Sequence, residues 1–289
     1  MELLASLVPL ALSLSLACLV ATIGMQASWE DLVSVFRQPR RLGAAVLAVN
    51  VAVPAAAVLL LAAVPVAPAA KAGVLLMAAA PAPPLTAFRP LHIENHRAYA
   101  FGLYFALIAL AVVAVPLTVS LLARFYGVDV DLSVGALAGN VALTVMLPLG
   151  VGMLVRRLAP GLVGRIDEWV GNIAVLLLVI AFFPVPVMLL PAIESLAGDG
   201  TLLVMGLVAA AGLAAGHLLG GADPTERRVL AVTAANRHPG IALIIATANG
   251  ADPDVFAAIL GVFLIGAVTS GVYERWVSRR PVPVHGGPG

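Results

Sequence analysis

Long apolar runs alternate with short breaks that are charged or rich in proline and glycine along the whole sequence. Each run is about 20 residues or longer, which lets a helix cross a hydrocarbon core of about 30 Å. The alternation predicts nine membrane spans, at positions 1–25, 40–64, 70–94, 98–124, 132–156, 167–191, 199–220, 228–250 and 252–276. The third and eighth runs are interrupted, and another interpretation of those two interruptions would change the count.

Composition predicts the same class of fold. Of the 289 residues, 62% are hydrophobic and 11% are charged, whereas a soluble domain carries about 25% charged residues. So few charges cannot cover a globular surface, and the short breaks leave no room for a soluble domain. We therefore predict an all-α polytopic membrane protein with a single transmembrane domain over 1–289. The lipid bilayer is one of its expected partners. The few dispersed charges give no indication of a nucleic-acid partner, and the sequence does not indicate an oligomeric state.

The basic residues predict an orientation in a cell (inner) membrane. With the N-terminus outside, twelve Lys and Arg residues fall on the cytoplasmic side, including those of a cytoplasmic tail over 277–289, and two fall outside. This excess on one side follows the positive-inside rule. Nine spans also place the C-terminus in the cytoplasm, so the span count and the charge bias agree.

Two arginines, Arg89 and Arg237, lie inside apolar runs, unlike the other fourteen Lys and Arg residues. Both runs are broken beside the arginine, by Pro81, Pro83, Pro84 and Pro90 in the third run and by Pro239 and Gly240 in the eighth. Proline removes a backbone donor and disfavours helix in the residue before it. Irregular backbone at membrane depth is tolerated where protein buries it or where it lines a cavity. An arginine at such a depth costs about 2.5–3.5 kcal/mol on insertion scales.

The two breaks lie in corresponding parts of two half-repeats, over 1–125 and 132–276, which is the pattern of a transporter built from inverted repeats. The arginines and the positive ends of half-helices favour an anionic ligand. We expect Arg237 and Arg89 to hold a small organic anion, with neutral hydrogen bonds from Asn236, His238 and Thr86. For Arg89 the alternative is a position near the inner interface, from which it reaches the lipid phosphates.

The segment around Arg237-His238-Pro239-Gly240 resembles a crossover helix of the bile acid:sodium symporter family. The segment from Ala79-Ala80-Pro81 onward resembles that family's other crossover helix, and residues 21–40 are similar to its first cytoplasmic loop. The resemblance implies secondary transport by alternating access and an inverted-repeat fold with a core domain and a panel domain. It further implies the nine-helix form of this fold.

The resemblance also implies positions for sodium ligands, and this chain departs from them. The Glu and Gln that bind sodium in the second crossover of other members fall on Thr233 and Arg237, a Ser-Asn pair falls near Thr86 and Ala87, and a further amide falls near Asn50. Because a guanidinium repels sodium at short range, our hypothesis is that Arg237 takes the place of the cation. No cofactor is expected. The coupling ion is either sodium or a proton. If it is a proton, Glu94, His92 and His238 are the candidate groups to bind it.

Two other functions compete with transport as interpretations of the sequence. An intramembrane metal-dependent enzyme would use His92 and His96, which share one helix face, although the Glu that follows the first His in zincins is missing here. A non-transporting membrane sensor would need an output domain or a partner. Transport is the function that the two broken segments favour.

Overall fold

The fold is taken from a computed structural model, which describes residues 2–84, 97–182 and 200–279. Every regular element in these three ranges is helical. The α-helices, numbered in chain order, are α1 (Glu2–Gln26), α2 (Trp29–Ser34), α3 (Pro39–Val46), α4 (Val53–Ala63), α5 (Pro68–Ala79), α6 (Arg97–Tyr126), α7 (Val134–Val141), α8 (Leu147–Leu158), α9 (Pro160–Phe182), α10 (Thr201–Leu219), α11 (Pro224–Ala235), α12 (Pro239–Ala248) and α13 (Pro253–Ser278).

Within the described ranges, six helical segments are long and apolar enough to cross a membrane, namely Pro39–Ala63, Ala98–Tyr126, Val134–Leu158, Thr201–Leu219, Pro224–Ala248 and Pro253–Ser278. Leu14–Gln26 and Pro68–Ala79 are shorter apolar helices. The predicted fold class, an all-α polytopic membrane protein, is confirmed. The count of nine stays a prediction, because the predicted spans 70–94 and 167–191 run beyond the ranges that the structure covers.

Helix α9 begins earlier than the sequence pattern predicts. It starts at Pro160, whereas the apolar run was expected to start at 167. Proline suits the first position of a helix, since its missing N–H would have no partner there. Arg165 and Asp167 lie in the second turn of α9, and the Asp167 carboxylate accepts a hydrogen bond of 3.2 Å from the Gln26 side chain at the end of α1. Hydropathy alone therefore placed the start of this helix too late.

Two helices contain a wider π-helical stretch just before a proline. Leu47–Ala52 joins α3 to α4 ahead of Pro54, and Ala142–Met146 joins α7 to α8 ahead of Pro148. A proline ring clashes with the carbonyl four residues earlier, which belongs to Asn50 in the first case. The wider turn relieves that clash without ending the helix, and single π turns of this kind are frequent at functional sites.

The helices pack in two groups. Helix α1 packs against α8 and α9, and the closest approach is at Gly24 and Gly152, where an added Cβ would collide with the backbone of the opposite helix. The second group contains α3 to α5 and α10 to α13. Helix α6 lies between the groups, because Phe101 and Ile108 belong to the apolar cluster shared with α1 and α8 while Leu103 and Leu107 pack with residues of the second group.

Glycines on α10 set the position of α11. An added Cβ at Gly212 would lie 2.7 Å from the Ala234 carbonyl oxygen, and one at Gly216 would overlap the backbone of Ala231. Small residues of this kind allow two membrane helices to approach backbone to backbone. The end of α11, where the second predicted break begins, is therefore held directly against the α10 backbone.

Candidate transport site at the crossing of two broken segments

The second broken segment is a non-helical stretch of three residues between α11 and α12. Helix α11 ends at Ala235 and α12 begins at Pro239. Asn236 is extended (φ −98°, ψ 140°), and so is His238 (φ −80°, ψ 102°), as expected for a residue that precedes proline. The proline and the residue before it thus end one half-helix and start the next.

The first broken segment begins where α5 ends at Ala79. Ala80 is extended (φ −69°, ψ 150°), and Pro81, Pro83 and Pro84 follow within the covered range. Three prolines leave this stretch with few backbone donors but a full set of carbonyl acceptors. Residues 80 to 84 are all buried.

The two broken segments meet, as the sequence predicts for crossover helices. The backbone N–H of His238 donates to the Pro81 carbonyl at 2.7 Å. The Arg237 guanidinium donates from Nη1 to the Ala80 carbonyl at 3.1 Å and from Nη2 to the Val49 carbonyl at 2.8 Å. One side chain therefore ties the second break to the first break and to the π-helical stretch before α4.

Arg237 is a cation buried inside the protein. Its exposed fraction is 3%, and among the described residues no carboxylate lies within ion-pair distance of it. Its Nε–H has no hydrogen-bond partner there either. A buried charge with no counter-charge costs several kcal/mol unless other groups compensate for it, and the two carbonyl oxygens supply part of that compensation.

The half-helix ends at the crossing have both signs. Helices α5 and α11 each bring their C-terminal, negative end to the crossing, and α12 brings its N-terminal, positive end. The sequence predicts positive half-helix ends at this point, and the structure adds two negative ends beside the positive end of α12. Arg237 follows the C-terminus of α11 directly, which is where a cation is most favourable.

The residues on either side of Arg237 differ in their hydrogen bonding. Asn236 donates from Nδ2 to the Val232 carbonyl and to the Ser270 hydroxyl on α13, both at 2.8 Å. The side chain of Thr233 is buried, with 2% exposed. His238 is buried as well, and its Nδ1 has no hydrogen-bond partner. Gly240 lies under the imidazole, since an added Cβ would be 2.9 Å from its Cε1.

Of the predicted site residues, the structure brings Arg237, Asn236, His238 and Thr233 together at the break. Asn50 is half-buried in the π-helical stretch, next to the Val49 carbonyl that accepts from Arg237. Arg89, Thr86 and Pro90 lie outside the described residues, as do His92, Glu94 and His96 of the enzyme hypothesis. Within the covered ranges there is no group of three or more His, Cys, Asp or Glu side chains that could hold a metal ion.

Sequence reasoning missed the acceptors of the site. The carbonyls of Val49, Ala80 and Pro81 leave no mark in the sequence, because every residue has one. The position of Pro54 four residues after Asn50 is a signal that could have indicated the π-helical stretch. Ser270 had no such signal, since one serine in an apolar span is most simply a helix–helix contact.

The chain matches a known protein family. The model of the sodium bile acid symporter family matches residues 13–197, which is more than half of the chain. The match includes α5 and the first broken segment and ends before α11, so the segment that carries Arg237 lies beyond it. No curated protein matches the chain. The resemblance stated from the sequence is confirmed at the level of the family.

Proposed function

Because this chain belongs to the sodium bile acid symporter family, a family of transporters, we propose that it is a secondary transporter of a small organic anion. The observation that carries the proposal is the meeting of two broken segments around a buried arginine with no carboxylate partner among the described residues. Irregular backbone with unpaired polar groups inside a membrane protein is typical of a transport site. Alternating access would then move the helix group of α1, α8 and α9 against the group that contains the crossing.

The role proposed for Arg237 is that of a built-in cation. Its guanidinium is bound by two carbonyl oxygens, which are also the ligand type that hard cations prefer in proteins. The C-terminal ends of α5 and α11 add negative potential at the same point. A fixed guanidinium there would remove the need for sodium and would repel a sodium ion that approached it. We therefore propose transport that does not depend on sodium.

The anion is proposed to bind on the side of Arg237 that the carbonyls leave free. The Nε–H of Arg237 and Nδ1 of His238 are both buried without partners, and the first N–H groups of α12 start beside them. A carboxylate accepts hydrogen bonds from N–H donors well, with His238 in the tautomer that carries its proton on Nδ1, and it would compensate the buried charge. The Thr233 and Asn50 side chains are further candidates, as are Arg89 and Thr86 of the first segment.

The proposed orientation places the N-terminus outside and the C-terminus in the cytoplasm of a cell (inner) membrane. The start of α3, the connection between α10 and α11, and the end of α13 would lie inside, where twelve of the basic residues then fall. The start of α5 and the end of α12 would lie outside. Cysteine labelling of single sites at each end in intact cells would test this orientation.

The test of the function is uptake of radiolabelled monocarboxylates, from pyruvate to cholate, by proteoliposomes that contain the purified protein. We expect at least one monocarboxylate to enter the proteoliposomes down its own concentration gradient, at the same rate in sodium buffer and in choline buffer. A flux that disappears in choline would overturn the proposal for Arg237. No flux of any anion, with stability unchanged by all of them, would overturn the proposed function itself.

A double variant sharpens the test of the built-in cation. Thr233→Glu with Arg237→Gln restores at both positions the residue types that the family resemblance implies for sodium binding. We expect this variant to transport in sodium buffer, and we expect its transport rate to fall at least tenfold in choline buffer. The single variant Arg237→Gln is the matched control, because it removes the cation without supplying the acidic ligand, and we expect it to be slow in both buffers.

A further inference from the structure

A cavity lies at the end of the molecule that is outside in the proposed orientation. Its volume is about 410 Å³, within the range of about 300–1,000 Å³ found for small-molecule sites. It is bounded by α5 from Pro68 to Leu76, the end of α6, the connection from 128 to 130, the end of α12 and the start of α13. Most of its wall is apolar, including Leu75, Leu76, Val119, Leu122, Ile245 and Val255.

The polar part of this outer cavity is dominated by a cation. Lys71 lines it and is half-buried, with Nζ held 4.3 Å from the centre of the Tyr126 ring. Within the described residues no carboxylate pairs with this ammonium group. The positive end of α5, which begins at Pro68, adds to the same potential. Asp129 also lines the cavity, but it is exposed, so solvent screens its charge more strongly.

One wall of the outer cavity is fixed before any ligand binds. Asn249, at the end of α12, accepts from the Asp131 N–H at 2.6 Å and donates to the Asp131 carbonyl at 2.8 Å. The same side-chain nitrogen donates to the Ile245 carbonyl at 2.8 Å. These bonds tie the extended connection after α6 to α12. A site whose walls are already ordered loses less free energy when it binds a ligand.

We propose that the outer cavity is a binding site for an amphipathic carboxylate. Its hydrocarbon part would lie between α5, α6 and α12, and its carboxylate would pair with the Lys71 ammonium. Leu76 is about one helical turn from the break in its segment and Ile245 is about two turns from the break in the other, so a bound ligand would contact the outer halves of both broken segments. The proposal rests on the cavity and Lys71, and it does not depend on whether Arg237 binds the transported anion.

The experiment uses decanoate as the probe and thermal unfolding of the purified full-length protein as the readout. A ligand that binds only the folded state raises the unfolding temperature as its concentration rises. We expect decanoate to stabilise the wild type at lower concentration than decyltrimethylammonium, which has the same chain and the opposite charge. Lys71→Met should lower the affinity for decanoate at least tenfold, and Lys71→Arg should change that affinity by less than threefold.

Two further variants keep the test decisive. Arg124→Met removes the other outer basic residue, which does not line the cavity, and should leave decanoate binding unchanged. Ala72→Phe fills the cavity and should abolish decanoate binding while leaving the charge of Lys71 in place. Equal binding by wild type and Lys71→Met, or an equal loss in Arg124→Met, would overturn the proposal.

A lipid is the competing occupant, and nanodiscs distinguish it. If phosphatidylglycerol nanodiscs abolish the effect of decanoate, and phosphatidylcholine nanodiscs do not, a lipid fills the cavity and the assignment to a free carboxylate is wrong. Binding that persists in both supports the proposal. Uptake by proteoliposomes is a separate readout, so the absence of flux of any anion would overturn the proposed function and leave the decanoate result standing.

Discussion

The two broken segments carry opposite hydrogen-bonding groups to the point where they meet. The first, from Ala80 onward, is rich in proline and presents the carbonyl oxygens of Ala80 and Pro81. The second presents donors, namely the Arg237 guanidinium and the backbone N–H of His238. Proline makes the first segment an acceptor because it takes away N–H groups and leaves every C=O in place.

The difference explains why a charged residue can remain inside this protein. Two helix C-termini and a proline-rich non-helical stretch leave unpaired carbonyls in the interior, where each would cost free energy. Arginine has five donors and no acceptor, so it suits a place with an excess of acceptors. The buried arginine and the proline-rich segment are therefore complementary parts of one structure, and a change in either should leave polar groups of the other without hydrogen-bond partners.

Removal of the donor should have the largest effect. Arg237→Leu leaves the carbonyls of Ala80 and Val49 without their partner, and each such loss costs about 1–3 kcal/mol in a protein interior. We expect a loss of about 3 kcal/mol in the free energy of unfolding, measured by denaturation of the purified protein in detergent. Arg237→Lys is the matched control, since it keeps the charge and one set of donors, and it should lose less than half as much. A leucine variant as stable as the wild type would show that the guanidinium does not hold the two segments together.

The packing of α11 on α10 should have the next largest effect, because it holds the donor segment in place. Gly216→Ala would force α10 away from Ala231 and Leu230, and such overpacking costs about 1–3 kcal/mol. Gly206→Ala on the same helix meets no atom within 4 Å, so it should be neutral or stabilise by up to about 1 kcal/mol through helix propensity. Thermal unfolding of the two variants side by side would check this. Equal effects of both would mean that α11 is not held by close backbone contact.

The sequence predicts the position of the breaks better than their contacts. Pro239 and a charged residue inside an apolar run are local signals, so the interruption at Arg237 could be found from the sequence alone. The spans could be found too, since bilayer thickness fixes their length. The partners of Arg237 could not, because tertiary packing decides which of many identical carbonyls meets the guanidinium. The partner Val49 lies in the π-helical stretch before Pro54, which the hydropathy pattern does not predict.

The acceptor character of the first segment can be tested by giving it a donor. Pro81→Ala adds a buried N–H beside the carbonyl that accepts from His238. An unpaired buried donor costs about 1–3 kcal/mol, and an extension of α5 that paired it would move the Pro81 carbonyl away from His238. We therefore expect a loss of about 2 kcal/mol in unfolding experiments. A variant more stable than the wild type would contradict the view that this segment must lack donors.

The smallest effect should come from the bond that holds the second segment to α13. Ser270→Ala removes one of the two acceptors of Asn236 Nδ2 and leaves the Val232 carbonyl as the other. A single neutral hydrogen bond contributes about 0.5–1.5 kcal/mol, so we expect a loss of about 1 kcal/mol. Thr269→Ala, next to it, removes a hydroxyl that bonds only within its own helix, to the Ile265 carbonyl, and should lose less. If the two variants lose the same stability in thermal unfolding, the contact between Asn236 and α13 does not position the donor segment.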